Sequence, residues 1–175
     1  MKNTQILRLT EQEIQDGLYQ ARCSARRRHP KILHNPGDEF NRVINFMMED
    51  SYMQPHLHPG VEKIEKIYLI QGKIATLFFD DQGFVKNCTV LEKGGQEMIE
   101  VPAFTWHTYV ILSEYAITYE TMMGKYEPQT WKQFAEYLPD ENSSESKAYL
   151  GKLKEDVTRM ETEGKIRVAE KSRNE

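Results

Sequence analysis

Cysteine is scarce in this chain of 175 residues, with only Cys23 and Cys88. Two thiols so far apart make neither a disulfide framework nor a C-x-x-C metal knuckle, and they suit a reducing compartment. Long apolar runs are missing as well. No stretch approaches the roughly 18 residues that a membrane helix needs, and the Met1-Lys2-Asn3-Thr4-Gln5 start lacks the apolar core of a signal peptide. The expected location is therefore the cytoplasm, with no membrane partner and no glycan on the Asn142-Ser143-Ser144 sequon. Positive charge is also short: 23 Lys and Arg against 27 Asp and Glu leave a net charge of -4. That balance offers no extended basic face and argues against a nucleic-acid partner. Repeats, low-complexity segments and βαβ alternation are absent too, so the length fits one domain with its own core.

What the sequence does have is a run of short β-rich segments separated by turns at roughly ten-residue intervals, the pattern of a sandwich or barrel. Within it stands Met53 to Gly72, MQPHLHPGVEKIEKIYLIQG. Alternate side chains of a strand leave the same face, so His56 and His58 project together. Two imidazoles on one rigid surface are half of a metal site. Glu65, at the start of the run Ile67-Tyr68-Leu69-Ile70, and His107, after the turn-like Pro102-Ala103-Phe104-Thr105, are donors that folding can add. Three imidazole nitrogens and one carboxylate oxygen suit one divalent transition ion: Fe, Zn, Ni, Mn, Co or Cu. A six-coordinate ion keeps about two positions for water or substrate.

His56-Leu57-His58, then Glu65 with six residues before Gly72, then Pro102 and His107, resemble the two-part motif of cupins, small double-stranded β-helix barrels. The chain resembles the WbuC-type cupin fold metalloproteins more than cupins in general. The likeness runs from about Thr10 to Pro139 through SARRRHPKILHNP, YMQPHLHP, YLIQGKIATLFFDDQGFV, VPAFTWHTYV, TYETMMGKYEP and KQFAEYLP. It implies an all-β jelly-roll fold with an N-terminal helix and C-terminal helical segments. It also implies a metal held by the three histidines and a carboxylate. Phe104 stands where the general motif has Gly, and Ile111 where it has Asn. Six residues separate His58 from Glu65, against three or four in the general motif. Glu62 sits at the ordinary spacing after His58, whereas Glu65 has the required distance to Gly72; both remain candidates for the carboxylate. The resemblance further implies a role beside surface-polysaccharide synthesis and pairing of barrels, and an exposed sheet edge needs covering, so a homodimer is expected.

In chain order, Ile6 to Leu9 reads as a short strand and Thr10-Glu11-Gln12-Glu13 as a capping box opening a helix to about Ser24. Arg26-Arg27-Arg28-His29 is either a solvated basic surface or an anion clamp, since Arg offers a fork to carboxylate or phosphate. Arg27 and Arg28 are the substrate-binding candidates. Strands are expected over Phe40–Met48 and over Tyr52–His58, which carries the histidine pair. Two more, within Lys66–Phe79, are joined by a tight reversal at Gln71-Gly72, and others follow over Phe84–Leu91, Met98–Val101, Tyr109–Leu112 and Tyr115–Met122. Tyr68 reads as a core residue, and Trp106 as packing. Thr130 to Leu138 reads as a helix capping the open end of the barrel. Leu150, Leu153, Val157 and Met160 fall at a-and-d spacing, suited to packing on a partner subunit. The expected organisation is an N-terminal helix and arm over 1–40, the barrel over 41–126, the capping helix over 127–139 and a charged linker with a helical or disordered tail over 140–175.

Glu120 is either a solvated edge residue or a cavity-facing general acid or base. Lys125 would attract an anionic ligand and Tyr126 donate a hydrogen bond to it. The function these residues and the resemblance suggest is Lewis-acid chemistry on a small polar molecule, anionic or sugar-like, such as a surface-polysaccharide precursor. Isomerisation, epimerisation or hydrolysis fits this set. Two alternatives use the same ligands: a non-catalytic binding or sensing barrel, and an Fe-dependent dioxygenase.

Overall fold

Thr10 caps a helix, α1, over Glu11–Cys23. Its hydroxyl accepts from the Glu13 amide while the Glu13 carboxylate accepts from the Thr10 amide, closing the capping box. Ile14, Leu18 and Ala21 recur at helical spacing and are buried. Gly17 lies on the same stripe because the Phe46 ring comes so close that a Cβ there would meet it at 2.5 Å. The computed structural model describes residues 8–166. The strand expected over Ile6–Leu9 lies partly outside them, and Arg8 and Leu9 are not in a strand.

Ten strands follow. The first five are β1 (Arg28–Ile32), β2 (Phe40–Met48), β3 (His56–Leu57), β4 (Glu65–Gln71) and β5 (Lys73–Phe79). Then come β6 (Val85–Glu92), β7 (Met98–Val101), β8 (His107–Ile111), β9 (Tyr115–Met123) and β10 (Gln133–Phe134). They form two antiparallel sheets in the orders β1-β2-β9-β4-β7 and β10-β3-β8-β5-β6. Period-2 alternation divides each strand between two faces. In β2, Asn41, Val43, Asn45 and Met47 point between the sheets, whereas Ile44, Phe46 and Met48 lie under α1. Met47, Ile67, Leu69, Ile74, Leu91 and Ile111 are among the residues filling the space between the sheets at one end. The other end is hollow and holds the histidines.

A helix over Ser146–Thr162 covers the outer face of the second sheet. This element, α3, buries Leu150, Leu153, Val157 and Met160 against Ala75, Leu77, Cys88 and Val110 of its own barrel. The a-and-d stripe expected to meet a partner subunit is thus used within the chain. The layering is helix, sheet, sheet, helix.

Five local expectations are corrected. Gln71-Gly72 is not a hairpin: β4 pairs with β7 and β9, and β5 with β6 and β8, so the chain changes sheets there. Gly72 is required at that corner, with φ of 84° and a backbone oxygen, that of Tyr115, 2.3 Å from where a Cβ would stand. The strand expected over Tyr52–His58 is reduced to the two residues of β3. The capping helix of 127–139 is only Pro128–Trp131 (α2), and the chain then extends into β10, pairing Phe134 with His56 and Gln133 with Leu57. Burial explains why: of that stretch only Ala135 is buried, and Phe134 stays 42% exposed, so no apolar helical face forms. Tyr68 is not core but faces outward beside Tyr119. β1, read from sequence as a basic arm, is an edge strand of the first sheet, its Pro30 tolerated there. No helix among the described residues is long and apolar enough to cross a membrane.

Candidate metal centre

Register across the second sheet sets the centre. β3 and β8 place His56 directly opposite His107, and His58 follows two residues on. Glu65 enters from the first sheet at the start of β4, so the four side chains close on one point from both walls of the barrel. One donor atom from each lies within 4.8 Å of the others, and all four residues are buried. Glu62, the other carboxylate candidate, is exposed. Phe104 adopts φ of 59°, the left-handed conformation that Gly takes without cost, and its amide donates to the His58 carbonyl at 3.0 Å. The two halves of the motif are thereby tied together.

Each imidazole is oriented by a backbone carbonyl. Nδ1 of His56 faces Gln54 O at 3.0 Å, Nδ1 of His58 faces Trp131 O at 2.8 Å, and Nδ1 of His107 faces Thr105 O at 2.8 Å. Only an N–H can satisfy a carbonyl, so every Nδ1 is the donor and every neutral ring turns the lone pair of Nε2 inward. This is how metal-ligating histidines are held. It also poses a problem that a cation solves. Nε2 of His107 is 3.0 Å and Nε2 of His58 3.5 Å from the same Glu65 oxygen, lone pair facing lone pair. His58 Nε2 is a buried atom with no hydrogen-bond partner, which is costly unless something positive sits there. The residues therefore fit a divalent ion.

Electrostatics agree. Burial alone would raise the Glu65 carboxyl, but the neighbouring His107 and His58 outweigh it and hold the group well below its usual range. His56 is pushed well below the usual imidazole range, first by burial and then by the charge of Lys132. A carboxylate kept ionised and an imidazole kept neutral are the forms that bind a metal.

A cavity of about 290 Å³ opens beside the centre and meets it at Glu65. Its apolar wall includes Val43, Met53, Met122 and Trp131, and its polar wall Arg28, Asn45, Tyr109, Glu120 and Lys132. Glu120 is not an edge residue, because β9 lies in the middle of its sheet. Tyr109 and Thr118 both donate to its Oε1, at 3.1 and 2.8 Å. Burial, and then the charge of Glu65, raise its carboxyl above the ordinary range.

The basic candidates divide. Arg28 is 6% exposed and lines the cavity, yet its guanidinium is engaged by Glu141 and by Tyr52 O at 2.7 Å. Arg27 lies outside the cavity, in an ion pair with Asp50 at 2.8 Å and donating to Arg22 O. Lys125 is exposed and also outside it. Tyr126 reaches the rim and packs edge-on against Trp131. Two cavity-wall residues have no signature in the sequence, Tyr109 and Lys132, whereas Arg26 belongs to the basic run weighed as an anion clamp. The only available hint was strand parity, which puts Tyr109 on the face of His107.

A family model described as a domain of unknown function (DUF6016) matches residues 9–91. No curated protein matches the chain. Among solved structures it is similar to CapF with the inhibitor 3-isopropenyl-tropolone, at 17% identity and a TM-score of 0.51 over 60% of this chain and 31% of that one. It is also similar to protein SO0799 from Shewanella oneidensis, at 7% identity and a TM-score of 0.50 over 60% and 72%. Oxalate oxidase in complex with glycolate follows at 11% and 0.49 over 64% and 57%. The match thus spans less than two thirds of the CapF and oxalate oxidase chains. At these identities the likeness speaks to fold alone, and together with the two five-stranded antiparallel sheets it gives the chain a cupin-type jelly-roll fold, which carries a His3Glu donor set.

Proposed function

We propose that this cupin binds one divalent transition ion through His56, His58, Glu65 and His107 and acts on a small polar molecule in the adjoining cavity. The observation that carries the reading is the set of three Nδ1-to-carbonyl hydrogen bonds that aim three Nε2 atoms and the Glu65 carboxylate at one buried point. An ion held there supplies Lewis acidity, polarising a carbonyl or hydroxyl oxygen of the ligand. The protein's own part is proton handling and positioning. Glu120, with its carboxyl raised, holds a proton at neutral pH more readily than an exposed carboxylate and exchanges it with the ligand. Tyr109 and Thr118 fix the orientation of that carboxylate. Arg28 and Tyr126 shape the mouth of the cavity. Isomerisation, epimerisation or hydrolysis fits this combination.

The cavity is at the small end of the roughly 300–1,000 Å³ typical of ligand sites. Its size favours a single sugar ring or a small acid over a nucleotide sugar. The likeness to WbuC-type cupins supports a surface-polysaccharide precursor. Cytoplasmic location and a homodimer complete the reading.

Catalysis requires a coordination position that exchanges water; a closed structural site has none. The test is proton relaxation of solvent water by protein loaded with Mn²⁺. Enhanced relaxation that falls when a ligand enters supports a reactive centre. Absence of any exchangeable water on a stoichiometrically loaded protein would overturn it in favour of a non-catalytic barrel.

A further inference from the structure

Three cationic side chains stand in the cavity wall, and their partners set one apart. Arg26 and Arg28 share the carboxylate of Glu141, Arg26 through Nε at 3.1 Å and Arg28 through Nη2. Arg28 spends its remaining reach on Tyr52 O, Ser51 Oγ and Arg26 O. Lys132 has no such partner. Among the described residues no carboxylate lies within 4.0 Å of its Nζ, and its one hydrogen-bond contact is the Met53 sulfur at 3.8 Å. Thioether sulfur is a weak acceptor, so the Lys132 ammonium, which lines the cavity, keeps most of its donor capacity. A sheltered cation without acceptors is costly. Burial indeed lowers the Lys132 ammonium below the usual lysine range, with the charges of Glu65 and Glu120 partly offsetting it.

We infer that Lys132 is the anion-holding group of this cavity, its Nζ donating to an oxyanion, carboxylate or phosphate, carried by the bound small molecule. The inference rests on the reading of the cavity as the ligand site and gives that ligand a chemical class: one acidic group at Lys132, and neutral oxygens elsewhere. Glu65 and Glu120 supply the second half of the argument. Their carboxylates line the same wall and repel an anion that approaches from their side, so the acidic end of a ligand is directed to Lys132. The short segment from Pro128 to Phe134 therefore has two duties. Its Trp131 carbonyl orients His58, and the next residue presents the ammonium.

The experiment is calorimetric titration of metal-loaded protein with inorganic phosphate and, separately, with acetate, glycerol serving as the neutral control. Native protein, Lys132→Met and Lys132→Arg are compared, and metal per chain is measured on the same samples. Binding of at least one anion, weakened about tenfold or more in Lys132→Met and recovered in Lys132→Arg at unchanged metal content, is expected. Preference between the two anions tells which group the ligand carries. Equal affinity in native protein and Lys132→Met, or no binding of either anion to native protein, overturns the inference. A native chain that takes up no metal yet loses anion binding with Lys132→Met would keep Lys132 and overturn the metal-centre reading instead.

Discussion

The two halves of the barrel interior are built on different principles. The His3Glu cluster is made of residues at strand starts and strand pairs, and each imidazole is held by a backbone carbonyl. The cavity wall beside it draws on the irregular segment after β9, through Tyr126, Trp131 and Lys132, and on Glu141, which locks Arg28. The sheets gather the donors that fit a metal, and the segment over 126–141 contributes to the wall of the cavity beside them. Trp131 O is the point where the two meet.

Four changes break or sharpen this contrast. The largest effect is expected from His56→Ala, which should abolish stoichiometric metal binding while far-ultraviolet circular dichroism still reports a folded β protein. Full metal occupancy in that variant would mean the cluster is not the site. Leu153→Ala, on the far side of the second sheet, should cost about 3 kcal/mol of stability, since Leu153 is 1% exposed and its loss leaves a cavity. Metal content should not change. A urea midpoint equal to that of native protein would detach α3 from the core.

Glu141→Gln leaves the buried Arg28 guanidinium, at 5% side-chain exposure, without a carboxylate. Because Glu141 itself is partly open to solvent, a cost of about 2 kcal/mol is expected, between the values for surface and buried pairs. Metal affinity should stay the same if the wall and the centre are separate, and a fall in affinity would merge them. The smallest effect is pH-dependent. Glu120 has a folded-state pKa above its unfolded value, so its ionisation opposes folding: the penalty is complete above the folded pKa and vanishes below the ordinary carboxylate range. Glu120→Gln should therefore melt at a higher temperature than native protein at pH 8, with the gap closing toward pH 4. A constant gap across that range would place the Glu120 carboxyl in an ordinary, solvated setting.

Legibility from sequence follows the same division. The histidines could be read because a strand's period of two and a turn pinned by Pro102 are local facts. Thr10 to Glu13 and the α3 stripe were legible for the same reason, although the stripe does not say whose surface it meets. Gln71-Gly72 was ambiguous: a glycine at positive φ serves a hairpin and a corner between sheets equally well, and only the pairing of β4 with β9 decides. Lys132 and Glu141 were illegible because nothing local distinguishes them from the exposed Lys125 or Glu136. Their position depends on where β9 leaves the barrel and on β10 pairing with β3. Arg27 and Arg28 are neighbours in sequence and opposites in the fold, one tied to Asp50 outside and one buried at the cavity.

The central claim is that His56, His58, Glu65 and His107 hold one ion. Elemental analysis of untagged protein purified without chelators, run beside His107→Ala, tests it most directly. About one equivalent of a single divalent transition metal in the native chain, lost in the variant, is the result the account predicts. Absence of metal in both, with failure to take up any divalent transition ion on reconstitution, would contradict it.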